Sequence, residues 1–142
     1  MLLGGVRIPS SVHLQGHSDA DAVCHAITDA VLGAAGAGDI GSLFPDTDAA
    51  NAGRSSLEML SHAVAHTRQS GWVIMGVDVT VITEEPRVGP HRGAMRDELA
   101  RALGVTSAQV NVKGKSNEGM GWVGRGEGLA CIAVATLQRA EH

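Results

Sequence analysis

The stretch "WVIMGVDVTVIT", Trp72 to Thr83, decides the fold. Val77, Val79 and Val81 alternate with Asp78, Thr80 and Ile82, and β-branched residues dominate, so the run reads as a strand. Upstream, Ser55 to Ser70 carries Leu57, Leu60 and Val64 at helical spacing and closes at Gly71. Downstream, Glu85-Pro86-Arg87-Val88-Gly89-Pro90 turns the chain, and His91 to Leu103 forms a helix stopped by Gly104. Gln109 to Lys115 is a further strand, followed by a glycine-rich loop from Ser116 to Gly128. The closing run "LACIAVATL", Leu129 to Leu137, is almost wholly apolar. A strand with two apolar faces is normally covered on both, which in so small a domain predicts contact with another subunit.

The N-terminal part completes the pattern. Leu2 to Ile8 reads as a short strand broken by Gly4-Gly5, and Ser18 to Ala35 as a helix capped by Ser18, with Asp19 and Asp21 favourable at its positive end. Gly36, Gly38 and Gly41 stop that helix, and a loop rich in Gly, Asp, Asn and Pro runs to Arg54. The order β-α-α-β-α-β-β predicts an α+β domain over residues 1–142: a four-stranded type of sheet with helices on one face, in the split βαβ, ferredoxin-like style.

Composition narrows the function. The 142 residues are 44% apolar but only 2% aromatic, so the core is built from aliphatic side chains and Ala. The net charge is −4, and the 11 Lys and Arg are scattered rather than striped, which argues against nucleic acid as a partner. Cys24 and Cys131 lack Cys-x-x-Cys spacing, and neither a signal peptide nor a membrane-length apolar span is present, so a reducing cytoplasmic setting is expected.

Three segments carry possible chemistry. In "GHSDADAVCHAITDAVLGAAGAGDIGSLFPDTD", Gly16 to Asp48, counting by fours from Asp21 reaches His25 and then Asp29, which would flank an imidazole with carboxylates on one helix face. That suits a metal ligand or general base, although one His does not hold a metal alone. His17-Ser18-Asp19 at the helix start suits a phosphate, with an ordinary N-cap as the plainer alternative. Asp39, Asp46 and Asp48 would accept ribose hydroxyls or flank a metal, or simply make a polar loop. In "KGKSNEGMGWVGRGEG", Lys113, Lys115 and Arg125 lie near Glu118, cations for phosphate beside a carboxylate for Mg²⁺. His62 and His66, four apart on a helix, would chelate a metal or stand in solvent; His13, His91 and His142 form no evident constellation.

The Gly16–Asp48 segment, "TEEPRVGPH", "VNVKGKSNEGMGWVGRGEG" and the closing strand together resemble the 2-C-methyl-D-erythritol 2,4-cyclodiphosphate synthase family, from Leu3 to near Leu137. The resemblance implies a homotrimer whose sheets face a central apolar cavity, with active sites between subunits. It implies a lyase of non-mevalonate isoprenoid biosynthesis: the 2-phosphate of a cytidine diphosphate-linked methylerythritol attacks the β-phosphorus, and cytidine monophosphate (CMP) leaves. It also implies Zn²⁺, or another divalent cation, and Mg²⁺ as cofactors.

Carried over by motif, His25 is a zinc ligand, Asp29 its orienter, and His17 and Ser18 contact the phosphorylated methylerythritol. Asp39, Ile40 and Gly41 meet ribose or the diol, beside a loop of Phe44, Pro45, Asp46, Thr47 and Asp48. Thr83, Glu84, Glu85, Pro86, Arg87, Val88 and Gly89 hold cytosine through backbone groups. Lys115, Ser116 and Asn117 face the phosphates, with Ser116 stabilising the transferring phosphoryl group; Glu118 binds Mg²⁺ and Arg125 a phosphate. His17, Ser116 and Asp29 are thus the catalytic set. Trp122, Arg125 and Glu127 resemble the lining of the trimer cavity, where some members hold an isoprenoid diphosphate.

The sequence departs from the family at several points. The resemblance places two more zinc ligands on an Asp-x-His preceding the "GGVRIP" strand, and no Asp-x-His lies upstream of His17 here. The expectation is a misassigned or truncated N-terminus, or a variant that has lost the chemistry and binds cytidine nucleotide or isoprenoid diphosphate without turnover. Lys115 and Asn117 stand where many members have Thr, and Arg87 where Lys is common.

Overall fold

The computed structural model describes residues 1–10 and 20–141. In chain order the elements are β1 (Leu2–Leu3), β2 (Val6–Arg7), α1 (Ala22–Ala34), α2 (Ile40–Leu43), α3 (Ser56–Gln69), β3 (Trp72–Ile82), α4 (Arg92–Leu103), β4 (Val110–Lys115), α5 (Gly121–Gly124) and β5 (Ala130–Arg139). The α+β reading holds, with strand order β4-β3-β5: β3 runs parallel to β4 and antiparallel to β5.

The first strand is corrected. Gly4 and Gly5 take φ of +58° and +77°, conformations that glycine adopts without a Cβ clash, and the chain folds back so that Leu2 faces Arg7 and Leu3 faces Val6. The result is a separate two-stranded hairpin. Among the described residues the main sheet therefore has three strands.

The start of the first helix also differs. Ser18 lies outside the described residues, and α1 is capped by Asp21, whose side chain accepts from the Cys24 N–H at 3.0 Å. The same carboxylate accepts from the Gly4 N–H at 2.9 Å and the Gly5 N–H at 2.7 Å, so a fully buried Asp fastens the hairpin to the helix. The two segments expected to be loops each contain a helical turn, α2 after Asp39 and α5 after Met120. The other boundaries hold within a residue or two: Ser55 caps α3, and Gly104 ends α4 at φ +67°.

Helices α1, α3 and α4 pack on one face of the sheet, around Ile27, Val31, Leu60, Val79, Val81, Leu99 and Val112. Each such side chain contributes about 1.5–3 kcal/mol when fully buried. No described residue covers the opposite face. Along β5, Cys131, Ala133, Ala135 and Leu137 turn toward the helices, whereas Ile132 and Val134 are 61% and 63% exposed. The apolar outer face expected of the last strand is present and open in the single chain.

Two side chains in this core yield predictions. The buried Thr67 hydroxyl on α3 has no hydrogen-bond partner among the described residues, so Thr67→Val is expected to raise unfolding stability by about 1 kcal/mol in a urea titration. Burial, and secondarily the charge of Asp21, pushes the Cys131 thiol up to about 12. Because its folded pKa is raised, the stability it contributes is complete below the ordinary thiol value of 9.0 and is lost as pH climbs toward about 12. Cys24 is buried outright, so iodoacetamide at pH 8 is expected to label neither thiol until the protein is unfolded.

Candidate active site

About half of the predicted residues line two clefts, whereas Asp29, Asp39, Asn117, Glu118, Trp122 and Arg125 line neither. The first, about 110 Å³, is lined by His25 of α1, Ile40, Gly41, Phe44, Asp46, Asn51 and Met59. Helix α1 packs mainly on β5, which puts this cleft toward that edge of the sheet. The His25 ring shares a 2.9 Å hydrogen bond, through Nε2, with the Ser56 hydroxyl at the start of α3. Asp29, four residues along α1 from His25, accepts through Oδ1 from the Ile40 N–H at 2.6 Å, so it anchors α2 beside the cleft.

The Asp39 carboxylate caps α2 and accepts from both the Ser42 hydroxyl and the Ser42 N–H at 2.8 Å. The hydroxyl first, then the N–H, holds its carboxyl below the ordinary carboxylate value. The result is an ionised, exposed acceptor. Phe44, nearly buried, is gripped from two sides, with Arg54 5.0 Å from its ring centre and the His62 ring edge-on at 5.3 Å. Asn51 ties the loop to itself by donating to the Pro45 carbonyl at 2.7 Å. His62 thus packs on an aromatic ring, and among the described residues no group of three His, Cys, Asp or Glu side chains could hold a metal ion.

The second cleft, about 510 Å³, lies at the ends of β3 and β4, on the other side of the sheet order. Thr83, Glu84, Pro86, Arg87, Val88, Gly89, Lys115 and Ser116 line it, together with Arg92, which sequence reasoning left out. The turn is built from within: the Thr83 hydroxyl donates to the Glu85 carbonyl at 2.6 Å, and the Thr83 N–H to the Lys115 carbonyl at 2.9 Å. Glu84 Oε1 then accepts from the Asn117 N–H at 2.7 Å and the Gly119 N–H at 3.4 Å. A side chain from one loop shapes the backbone of the other.

The Ser116 hydroxyl accepts from the Glu118 N–H at 3.2 Å, and Glu118 stands at φ +54°, unusual for a residue with a Cβ. The loop doubles back so closely that a Cβ on Gly124 would lie 2.1 Å from the Gly119 carbonyl carbon, which requires glycine there. Arg125, expected on a phosphate, pairs with Glu127 at 3.1 Å, both side chains exposed. Trp122 is 51% exposed beside them. His17 and Ser18 lie outside the described residues.

No residue lines both clefts. Ser56, Arg54 and the organising role of Glu84 carry no local sequence signal, because their partners are distant in the chain or are backbone groups.

The chain is thus an α+β domain with helices on one sheet face, a cleft with Asp46 and Asn51 toward one edge and a cleft with Arg87, Arg92 and Lys115 toward the other, a charge arrangement suited to hydroxyl and phosphate groups. The YgbB family matches residues 1–138, and the chain belongs to that family. The 2-C-methyl-D-erythritol 2,4-cyclodiphosphate synthase of Gemmatimonas aurantiaca is 62% identical over 137 residues, 96% of this chain and 82% of that protein. A solved 2C-methyl-D-erythritol-2,4-cyclodiphosphate synthase in a form bound to CDP superposes with a TM-score of 0.88 at 36% identity, over 97% of this chain and 89% of that one. The bifunctional IspDF from Campylobacter jejuni superposes with a TM-score of 0.95 at 37% identity, over 99% of this chain, which spans 38% of that longer one.

Proposed function

We propose that the chain is a lyase that cyclises 4-diphosphocytidyl-2-C-methyl-D-erythritol 2-phosphate to 2-C-methyl-D-erythritol 2,4-cyclodiphosphate and releases CMP. The family membership, with a relative of that name 62% identical over 96% of the chain, carries the reading. A substrate oxygen on the 2-phosphate forms a bond to the β-phosphorus, and the bond from that phosphorus to the bridging oxygen breaks, leaving with CMP. No protein nucleophile is needed, so catalysis is positioning and charge neutralisation.

In this reading the 83–89 turn holds cytosine through its backbone, and Lys115 and Arg87 neutralise phosphate beside the Ser116 hydroxyl. Asp39 and the loop from Phe44 to Asp48 receive the diol end, with His17 and Ser18 on its phosphate. His25 is a candidate donor to a divalent cation, expected to be zinc, and Glu118 to Mg²⁺. The described residues do not complete such a site around His25.

Because the two clefts share no lining residue, one substrate is proposed to span clefts of neighbouring subunits in a homotrimer. The open face with Ile132 and Val134 is the surface such an assembly would cover. The 142 residues act as one domain, in the cytoplasm; no helix among the described residues is long and apolar enough to cross a membrane. An isoprenoid diphosphate near Trp122 and Arg125 would have to compete with Glu127 for the guanidinium.

The test is incubation of the chain with the substrate and divalent cations, followed by phosphorus NMR. Cyclic diphosphate and CMP are expected in equal amounts. A folded protein that binds CDP but makes no cyclic product would favour the binding-only alternative.

A further inference from the structure

The second cleft holds an unusual set of charges. Arg87, Arg92 and Lys115 all line it, all are exposed, and none of their side chains has a carboxylate or hydrogen-bond partner among the described residues. Many cations elsewhere are engaged: Arg68 donates to the Leu103 carbonyl, Arg96 to the Val110 carbonyl, Lys113 to Asp78, and Arg125 to Glu127. The acid that lines the cleft, Glu84, has its Oε1 committed to the N–H groups of Asn117 and Gly119. Three unpartnered cations around one cavity repel one another, and an anion placed among them removes that repulsion.

Arg92 belongs neither to the cytosine-holding turn nor to the Lys115–Glu118 loop. It is the first residue of α4 and enters the cleft from a third element. A guanidinium offers paired donors that match two oxygens of a phosphate, whereas Lys115 supplies a point charge. We infer that Arg92, acting with Lys115, is an anion-binding residue that makes this cleft rank cytidine nucleotides by the charge of their phosphate chain. The ligand class is thus a nucleoside diphosphate or diphosphate ester, favoured over the monophosphate and the nucleoside. This rests on the reading that the cleft takes the cytidine diphosphate part of the substrate.

The test is calorimetric titration of the whole chain, wild type and Arg92→Ala, with cytidine, CMP, CDP and inorganic pyrophosphate at low and high salt. Wild-type affinity is expected to rise from cytidine to CMP to CDP. Arg92→Ala is expected to weaken CDP about tenfold, leave cytidine within about twofold and flatten the salt dependence, with most of the loss restored in Arg92→Lys. A thermal melt checks folding, which an exposed, unpartnered side chain should not disturb. Equal losses for cytidine and CDP, or no loss for CDP, would overturn the inference. Arg92-dependent uptake of pyrophosphate with no uptake of cytidine compounds would support the anion role and contradict the cytidine reading. Tight CDP binding indifferent to Arg92 would do the reverse.

Discussion

Glu84→Ala is expected to lower turnover about 100-fold while barely moving the thermal midpoint. Glu84 is exposed, so its removal leaves no hole in the core, but its Oε1 fixes the N–H groups of Asn117 and Gly119 and with them the loop that presents Ser116 and Glu118. Phosphoryl transfer without a protein nucleophile depends on where charges and donors stand, and a displacement of about 1 Å is enough to cost two orders of magnitude. Glu84→Gln keeps an acceptor oxygen and is expected to stay within about tenfold of wild type. Steady-state kinetics should place the loss in kcat. A Glu84→Ala protein with unchanged kcat would mean that the loop holds its shape without the carboxylate.

The largest stability effect is expected at Asp21. Its carboxylate is fully buried and accepts from the backbone N–H groups of Gly4, Gly5 and Cys24. Asp21→Ala leaves those donors without this acceptor, removes the cap of α1 and releases the hairpin, for an expected loss of about 4 kcal/mol in urea unfolding. Asp21→Asn retains one acceptor oxygen and should cost about half as much. A loss below about 1 kcal/mol for the Ala variant would show that the hairpin is held by Leu3 and Ile8 packing alone.

How much of this was legible beforehand differs by element. Strands β3 and β5 and helices α3 and α4 follow from periodicity and stop residues, because their burial is one-sided and regular. The N-terminal strand misled because Gly4-Gly5 can break a strand or reverse it, and only the acceptor at Asp21, 16 residues beyond Gly5, selects reversal. The i, i+4 spacing of His25 and Asp29 gave no sign that the Asp29 carboxylate also accepts from the backbone N–H of Ile40, on the next helix. The site residues were legible mainly through the family motifs. Their partners were not, since the bonds from Glu84 to Asn117 and from Ser56 to His25 join residues more than 30 apart. Arg92 sits in a helix start with no motif of its own and becomes visible only when the ends of β3, β4 and α4 meet.

We propose that one active site is assembled from the His25 cleft of one subunit and the Ser116 cleft of its neighbour. Helix α1 packs over β5 and the loop after β4 lies toward the opposite edge of the sheet, so in this reading each chain contributes to two sites. Mixing by co-refolding tests this directly, using a His25→Ala chain and a chain carrying both Ser116→Ala and Glu118→Ala, each nearly inactive alone. In random hybrid trimers a shared site is expected to recover about a quarter of wild-type CMP release, because one native pairing arises in every mixed trimer. Recovery of no activity in hybrids verified by mass spectrometry would contradict it and place the whole reaction within one chain.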